Sequence, residues 1–215
     1  MSFGATFPPL YPILDAAFLP ATLDQRHEAL SQLAQGLSEA GVEILQYRNK
    51  QGSEAEILRD AKSLHSAASP KLNVILNDFL HLAVRARFDG VHVGQLDAPP
   101  REARSLLGSD AIIGISTHNE VQVRAADLEP VDYIAIGPVF ATSSKQNPDP
   151  VVGLDGVRLA RRLTKKPLVA IGGIALENAP SVWAAGADAV AVISAIFSAG
   201  EDPAKLAGDF LRIFR

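Results

Sequence analysis

Val42-Glu43-Ile44-Leu45-Gln46-Tyr47-Arg48-Asn49-Lys50 decides the fold, because an apolar strand ends there in polar residues at every second position. Alternate residues of a β-strand share a face. Gln46, Arg48 and Lys50 are therefore expected on one side of the strand, where an amide, a guanidinium and an ammonium together suit a polyphosphate. The stretch predicts an anion site at the carboxyl end of a strand.

Short apolar runs like this one alternate along the chain with longer segments of helical period. The first helical segment, Asp24 to Ala40, is followed by Gly41, which is typical of a helix C-terminus. The predicted strands are Leu10–Leu14, Val42–Arg48, Leu72–Leu76, Gly90–Val93, Ala111–Ile115, Tyr133–Ile136, Leu168–Ile171 and Ala189–Ile193. Strict alternation around these strands in 215 residues favours an α/β fold of the (β/α)₈ TIM-barrel type over an open doubly wound sheet. With no linker-like stretch in the chain, residues 1–215 are predicted to form a single domain.

Composition excludes several classes of function. The net charge of −4 provides no basic field for nucleic acid or anionic lipid, so an anion must be held by local groups. There are no cysteines, which excludes disulfides, thiolate metal sites and thiol nucleophiles and suits a reducing cytoplasm. Neither a signal peptide nor an apolar stretch of membrane-spanning length is evident. We expect a soluble, unexported, cytoplasmic protein that binds neither membrane nor nucleic acid.

In a barrel, functional residues gather where the strands end. The exits of strands two to eight are rich in polar side chains and glycines. These residues are Gln46, Arg48, Lys50, Asn77, Asp78, Gly94-Gln95-Leu96-Asp97, Ser116-Thr117-His118-Asn119, Gly137 to Lys145, Gly172-Gly173 and Ser194. Such a ring of charges and donors around one mouth predicts the active site there.

Asp78 and Asp97 follow neighbouring strands and are candidate ligands of Mg²⁺. This ion takes one or two carboxylates together with substrate phosphate oxygens, which Arg48, Lys50 and Lys145 would also bind. Each aspartate has an alternative role as the N-cap of the next helix. The metal hypothesis is favoured because both carboxylates lie beside a set of cationic residues that is otherwise unexplained.

Three further strand exits are open to two interpretations. Thr117-His118-Asn119-Glu120 matches a capping box, so Thr117 is expected to start a helix, and this exit either leaves Ser116 and the first-turn amides available to an oxyanion or is only a helix cap. The segment from Thr142 to Pro150 is either a mobile lid over the substrate or a surface loop. Gly172-Gly173, with Ser194 after the next strand, is either a phosphate site or a tight turn.

The histidines show no metal-ligand spacing. His27, His65 and His81 are expected on helices, at the surface, whereas His92 is expected to fill the barrel or support its mouth. His118 is kept as a candidate for proton transfer or substrate contact.

The chain resembles the thiamine phosphate synthase family, also called thiamine-phosphate pyrophosphorylase. The matching motifs follow one another in order over nearly the whole chain. They are Leu45-Gln46-Tyr47-Arg48-Asn49-Lys50, Asn77-Asp78, Asp89 to Asp97, Gly114-Ile115-Ser116-Thr117-His118, Gly137 to Lys145, Ala170-Ile171-Gly172-Gly173-Ile174 and Val192-Ile193-Ser194-Ala195-Ile196.

The resemblance implies a transferase of thiamine biosynthesis that depends on Mg²⁺. It joins 4-amino-5-hydroxymethyl-2-methylpyrimidine diphosphate to a thiazole phosphate, or to its carboxylated form, and releases pyrophosphate. It implies diphosphate ligands Arg48, Lys50, Asn77 and Lys145, Mg²⁺ ligands Asp78 and Asp97, and contacts to pyrimidine and diphosphate from Gln46 and Ser116. The thiazole-phosphate side is implied to hold Thr142 and the Gly173 amide, with Ile193 and Ser194 nearby.

Two departures from the family pattern stand out. Leu96 replaces a frequent acidic residue, which removes a carboxylate near the metal, and Tyr47 replaces a frequent aliphatic one but faces the helices by strand alternation. Two rival functions remain, a related thiazole tautomerase that needs no diphosphate cage and a barrel that only senses a phosphorylated ligand. The sequence does not distinguish a monomer from a homodimer.

Overall fold

The computed structural model describes residues 6–142, 149–198 and 200–214. Eight parallel strands close into a barrel in sequential order. The strands are β1 (Leu10–Asp15), β2 (Ile44–Arg48), β3 (Asn73–Asn77), β4 (Gly90–Val93), β5 (Ile112–Thr117), β6 (Tyr133–Ile136), β7 (Leu168–Ile171) and β8 (Ala189–Val192). The predicted (β/α)₈ barrel and its strict alternation are confirmed.

Helices follow every strand and surround the barrel, and a short 3₁₀ helix, Ala16–Phe18, follows β1. The α-helices are α1 (Leu23–Glu39), α2 (Glu54–Ala67), α3 (Leu80–Ala86), α4 (Pro100–Leu107), α5 (Glu120–Asp127), α6 (Gly153–Leu163), α7 (Ala179–Ala184), α8 (Ser194–Phe197) and α9 (Pro203–Phe214). In the described part of the chain, none of them is long and apolar enough to cross a bilayer.

Local sequence explains where some of these helices begin. Ser53 caps α2 in a reciprocal capping box, in which its side chain accepts from the Glu56 amide while the Glu56 carboxylate accepts from the Ser53 amide. Pro100 opens α4 at a position that needs no amide donor. The expected capping box at Thr117 is wrong: Thr117 is the last residue of β5, and Asn119 caps α5 by accepting from the Gln122 amide.

Thr117 stays in the strand because its partners lie in β6. It is in register with Ile136, and its hydroxyl donates to the Ala135 carbonyl at 2.8 Å. Pairing between strands therefore outweighs a local cap, and β5 ends two residues later than the sequence predicts. Ser116 is accordingly a strand residue rather than a residue of a helix N-terminus.

The outward faces of the strands pack against the helices, and Tyr47 lies in this layer as predicted. Its hydroxyl contacts Asp60 and Arg26, and the Arg26 Nη2 lies 2.6 Å from the Asp60 carboxylate. All three side chains are buried. The substitution of an aliphatic residue by Tyr47 is thus accompanied by a buried ion pair between α1 and α2.

The inward faces form a second core inside the barrel. Apolar side chains fill its lower part, while Tyr11 and Tyr133 meet edge to face with ring centroids 5.6 Å apart. Gly114 makes room for this pair, since a Cβ there would lie 1.9 Å from the Tyr133 ring. The ring of Tyr133 therefore reaches the middle of the barrel and carries its hydroxyl toward the mouth.

Candidate active site

A cavity of about 790 Å³ opens at the carboxyl ends of the strands. It collects the predicted site residues of the described chain, although they come from strands and loops spread over the sequence. The lining includes Gln46, Arg48, Lys50, Asn77, Asp78, Asp97, Ser116, Thr142, Gly173, Ile193 and Ser194. Lys145 and most of the predicted lid, residues 143–148, lie outside the described residues.

Asp78 and Asp97 meet at one side of this cavity, with Lys50 beside them. The Lys50 ammonium lies 3.1 Å from Asp78 Oδ2, and the two carboxylates are within hydrogen-bonding reach of each other. Burial raises the pKa of Asp78, the Asp97 charge raises it further, and Lys50 opposes both. A third His, Cys, Asp or Glu does not join this group in the described chain.

Neither aspartate is a helix N-cap, so that alternative is wrong. Phe79 precedes α3 and Pro99 precedes α4 in the capping positions. The backbone of Asp78 is in the left-handed region with φ of +66°. Strained backbone of this kind clusters at functional sites. Asp97 instead closes its own loop, accepting from the Gly94 amide at 2.7 Å.

The carboxylate pair suits a hard divalent cation. Its donors are carboxylate oxygens on adjacent side chains, and burial, together with the nearby Asp97 charge, raises the pKa of Asp78, an effect that a bound cation would oppose. Leu96, fully exposed at the rim, adds no further oxygen ligand. The residues present therefore fit a Mg²⁺ ion that completes its coordination with water and substrate oxygens.

Arg48 has a partner that the sequence did not reveal. It forms an ion pair with Asp15 at the end of β1, which is its neighbour in strand register. Asp15 also accepts from the Ala17 amide at 3.0 Å, so the carboxylate is held on both sides. The available signal was an acidic residue at the first strand exit, the same signal that indicated Asp78 and Asp97.

Asn77 is buried beneath the cationic groups at the end of β3. Its side-chain Nδ2 has no hydrogen-bond partner among the described residues. A buried donor without a partner costs roughly 1–3 kcal/mol, which a ligand that accepts from it would recover. Asn77 therefore offers the cavity a ready amide donor.

Gln46 and Ser116 are joined across the barrel by buried side chains. Gln46 Nε2 donates to the Tyr11 hydroxyl at 3.2 Å, and that hydroxyl lies 2.8 Å from the Tyr133 hydroxyl. His92 follows, with Nδ1 2.8 Å from Tyr133 and Nε2 2.8 Å from Ser116 Oγ. His92 is buried inside the barrel and contacts Ser116 at its mouth, in agreement with the expectation that it fills the barrel or supports its mouth.

His118 is fixed against the loop that follows β6. Its Nδ1 lies 2.6 Å from the Gly137 carbonyl, which only accepts, so Nδ1 carries a proton. Its Nε2 faces the Asp149 carboxylate at 3.4 Å, and both side chains line the cavity. The position agrees with a substrate contact, whereas a proton-transfer role stays a prediction.

The opposite side of the mouth is formed by β7 and β8. Gly173 has a φ of +64°, and a Cβ there would lie 2.5 Å from the Ala141 carbonyl, so the turn requires glycine. Ser194 begins α8, directly after Ile193. Backbone amides and a hydroxyl therefore meet on this side, where barrels commonly hold a phosphate.

Comparison with known proteins gives the relationship of the whole chain. The family model described as thiamine monophosphate synthase matches residues 10–196. The chain belongs to the thiamine monophosphate synthase family. A curated thiamine-phosphate synthase from Koribacter versatilis (strain Ellin345) is 51% identical over 214 residues, which are 99% of each protein. One from Agrobacterium fabrum (strain C58 / ATCC 33970) is 43% identical over 79% of this chain and 80% of the relative.

A solved member of this family has the same fold. The thiamine phosphate pyrophosphorylase from Pyrococcus furiosus superposes with a TM-score of 0.79 at 30% identity, covering 95% of this chain and 94% of that one. The sequence pattern did not point to several residues that hold the site residues in place. These are Tyr11, Asp15 and Tyr133. Tyr11 and Tyr133 carried no polar signal, because they sit among apolar strand residues.

Proposed function

We propose that this chain is a Mg²⁺-dependent thiamine-phosphate synthase of thiamine biosynthesis. It joins 4-amino-5-hydroxymethyl-2-methylpyrimidine diphosphate to 4-methyl-5-(2-phosphoethyl)thiazole, or to its 2-carboxy form, and releases pyrophosphate. The observation that carries the proposal is the single cavity in which Arg48, Lys50, Asn77, Asp78 and Asp97 meet, in a chain of this family. We take residues 1–215 as one catalytic domain that works in the cytoplasm.

The diphosphate is assigned to the β2 and β3 side of the mouth. Arg48 supplies a planar fork, Lys50 a point charge and Asn77 an amide donor, all of which suit phosphate oxygens. Support comes from the unpartnered Nδ2 of Asn77 and from Lys50, whose side chain is half exposed and forms an ion pair with Asp78. Lys145 would join them from residues 143–148.

Asp78 and Asp97 are assigned to Mg²⁺, for which their oxygen donors and mutual repulsion are suited. A bound Mg²⁺ would neutralise charge on the diphosphate oxygens. Asp78 and Asp97 would hold the ion on the side of the cavity where Lys50 lies, so positive charge would be concentrated there.

Gln46 and Ser116 are assigned to the pyrimidine end and to the adjoining diphosphate. Gln46 donates through its Nε2 to Tyr11, so its side-chain carbonyl is the group assigned to the pyrimidine. Thr142, the Gly173 amide, Ile193 and Ser194 are assigned to the thiazole phosphate. With these assignments the two substrates would bind side by side in the cavity.

The reaction needs charge stabilisation more than proton transfer. When the C–O bond to the diphosphate breaks, its electron pair leaves with pyrophosphate and positive charge develops on the pyrimidine methylene. Arg48 and Lys50, which line the cavity, stabilise the negative charge on the leaving group, and Lys145 is assigned the same role. The thiazole nitrogen then donates its lone pair to the methylene, and proximity to the bound acceptor supplies much of the rate.

The test is pyrophosphate release by the purified protein with both substrates. We expect release that requires the thiazole phosphate and Mg²⁺, with thiamine phosphate formed in equal amount. Substituting the 2-carboxy thiazole in a parallel assay identifies the preferred acceptor. Binding of either substrate without release would contradict the proposal and favour the tautomerase or a phosphate-sensing barrel, which an isomerisation assay separates.

A further inference from the structure

Four buried polar side chains and the half-buried Ser116 form an unbroken hydrogen-bonded series from one substrate contact to the other. Its links are Gln46, Tyr11, Tyr133, His92 and Ser116, with heavy-atom distances of 2.8 to 3.2 Å. The two tyrosines are about 1% exposed or less and His92 is 7% exposed. Water has little access to the middle of this hydrogen-bonded series, so the hydroxyl and imidazole protons there must be donated to other side chains of the series.

Counting the protons shows in which direction the hydrogen bonds of this series of side chains run. Tyr11 accepts from Gln46 Nε2, so its own proton goes to the Tyr133 oxygen. Tyr133 in turn donates to His92 Nδ1, which must be unprotonated to accept. His92 then carries its proton on Nε2 and donates it to Ser116 Oγ. The Ser116 hydroxyl proton is left free to point into the cavity.

The opposite direction matches the substrate poorly. A proton on His92 Nδ1 would make Tyr133 donate to Tyr11, and the Tyr11 proton would then need the Gln46 carbonyl as its acceptor. Ser116 would donate to His92 and face a diphosphate with lone pairs only, which repel an acceptor. In the forward direction both ends fit, because Ser116 donates to the diphosphate and the Gln46 carbonyl accepts from the pyrimidine amino group.

We propose that His92 is a positioning residue whose Nε2–H tautomer makes Ser116 a hydrogen-bond donor to the diphosphate. The identity of the acceptor and the fit of both ends to the substrate rest on the proposed function, whereas the direction of the hydrogen bonds follows from the Gln46 donor. Both ring nitrogens of the buried His92 lie 2.8 Å from hydroxyl oxygens, so a neutral imidazole that accepts from one hydroxyl and donates to the other satisfies both contacts with one proton. Tyr133, which does not line the cavity, then acts on the reaction through two intermediaries.

The tautomer can be measured without substrate. Long-range ¹H–¹⁵N spectra of the whole protein identify Nε2 by its couplings to both ring protons, and its shift tells whether it is protonated. The His92 signals are assigned by their loss in His92→Gln, or by removing the other four histidines singly. We expect a protonated Nε2 and a bare Nδ1. A protonated Nδ1, alone or with Nε2, would overturn the inference.

Kinetics test whether the effect passes through Ser116. Tyr133→Phe removes the donor to His92 Nδ1, and we expect kcat to fall about five- to tenfold with little change in KM, as for one lost hydrogen bond. In a Ser116→Ala background, the same change should alter kcat by less than about twofold. Equal losses in both backgrounds would overturn the role of His92.

Tyr47→Phe is the matched control, because Tyr47 is equally buried but faces the helices. It should leave both kcat and the His92 tautomer as in the parent chain. Failure of the proposed function gives a different result. A protonated Nε2 in a protein that releases no pyrophosphate would uphold the tautomer and remove the synthase assignment instead.

Discussion

Arg48 and Asp15 lie opposite each other in the register of β1 and β2, and their side chains form an ion pair. Both side chains are only partly exposed, at 20% and 16%. The guanidinium is therefore held at the mouth before any substrate arrives. A candidate diphosphate ligand is positioned by a carboxylate from the neighbouring strand.

Asp15→Ala should raise the KM for the pyrimidine diphosphate about three- to tenfold, since a partly exposed ion pair contributes about 1 kcal/mol to the position of Arg48. Asp15→Asn, which keeps an acceptor for Arg48, should have a smaller effect. Steady-state kinetics measure both. An Asp15→Ala enzyme with the KM of the parent would show that Arg48 needs no such partner.

Lys50→Ala should lower kcat about a hundredfold and leave the melting temperature within a few degrees. The reason is that Lys50 is half exposed and makes one ion pair, which contributes at most about 1 kcal/mol to folding. The exposed Lys62 on α2 provides the control, and Lys62→Ala should change neither quantity. Equal losses of turnover and stability in Lys50→Ala would remove the diphosphate role.

Mg²⁺ should stabilise the protein against heat when pyrophosphate is present, because a ligand that binds the folded state alone raises the unfolding free energy. Asp78→Asn should abolish this shift and the Mg²⁺-dependent turnover together. Asp155→Asn, at a fully solvated position of α6, should keep both. Thermal unfolding with and without chelator measures the shift, and a shift that survives in Asp78→Asn would place the metal elsewhere.

The capping box of α2 should make stability depend on pH. The Ser53 amide and hydroxyl lower the pKa of Glu56 below its usual value. The folded state thus favours the charged carboxylate, so its contribution is complete above the unfolded pKa, near 4.3, and is lost as pH falls through the lower folded value.

Glu56→Gln should therefore be less stable than the parent at pH 7, and the difference should disappear under acid conditions. Urea unfolding at several pH values measures it. Ser53→Ala should cost about 1 kcal/mol at pH 7 through loss of the N-cap. A Glu56→Gln difference that is the same at every pH would show that the carboxylate charge is not involved.

Much of the site could be predicted from local sequence. Asp78 and Asp97 were found because parallel strands bring their exits to one rim, wherever the strands lie in the chain. The predicted helix start at Thr117 was wrong because a capping box is a local pattern, whereas the Thr117 hydroxyl donates to Ala135 in β6, 18 residues away. Tyr11 and Tyr133 were missed because their hydroxyls meet across 122 residues, and nothing in either strand marks its partner.

The sequence by itself determined the barrel, its eight strands and the set of polar residues at its mouth, because strand periodicity and strand order are properties of neighbouring residues. Only the tertiary structure decided which of these groups are already paired. Arg48 with Asp15, Lys50 with Asp78, and the chain from Gln46 to Ser116 depend on how the closed barrel sets register and side-chain distance. Hydrogen bonds and ion pairs act over a few ångströms, so only closure of the barrel could select these partners.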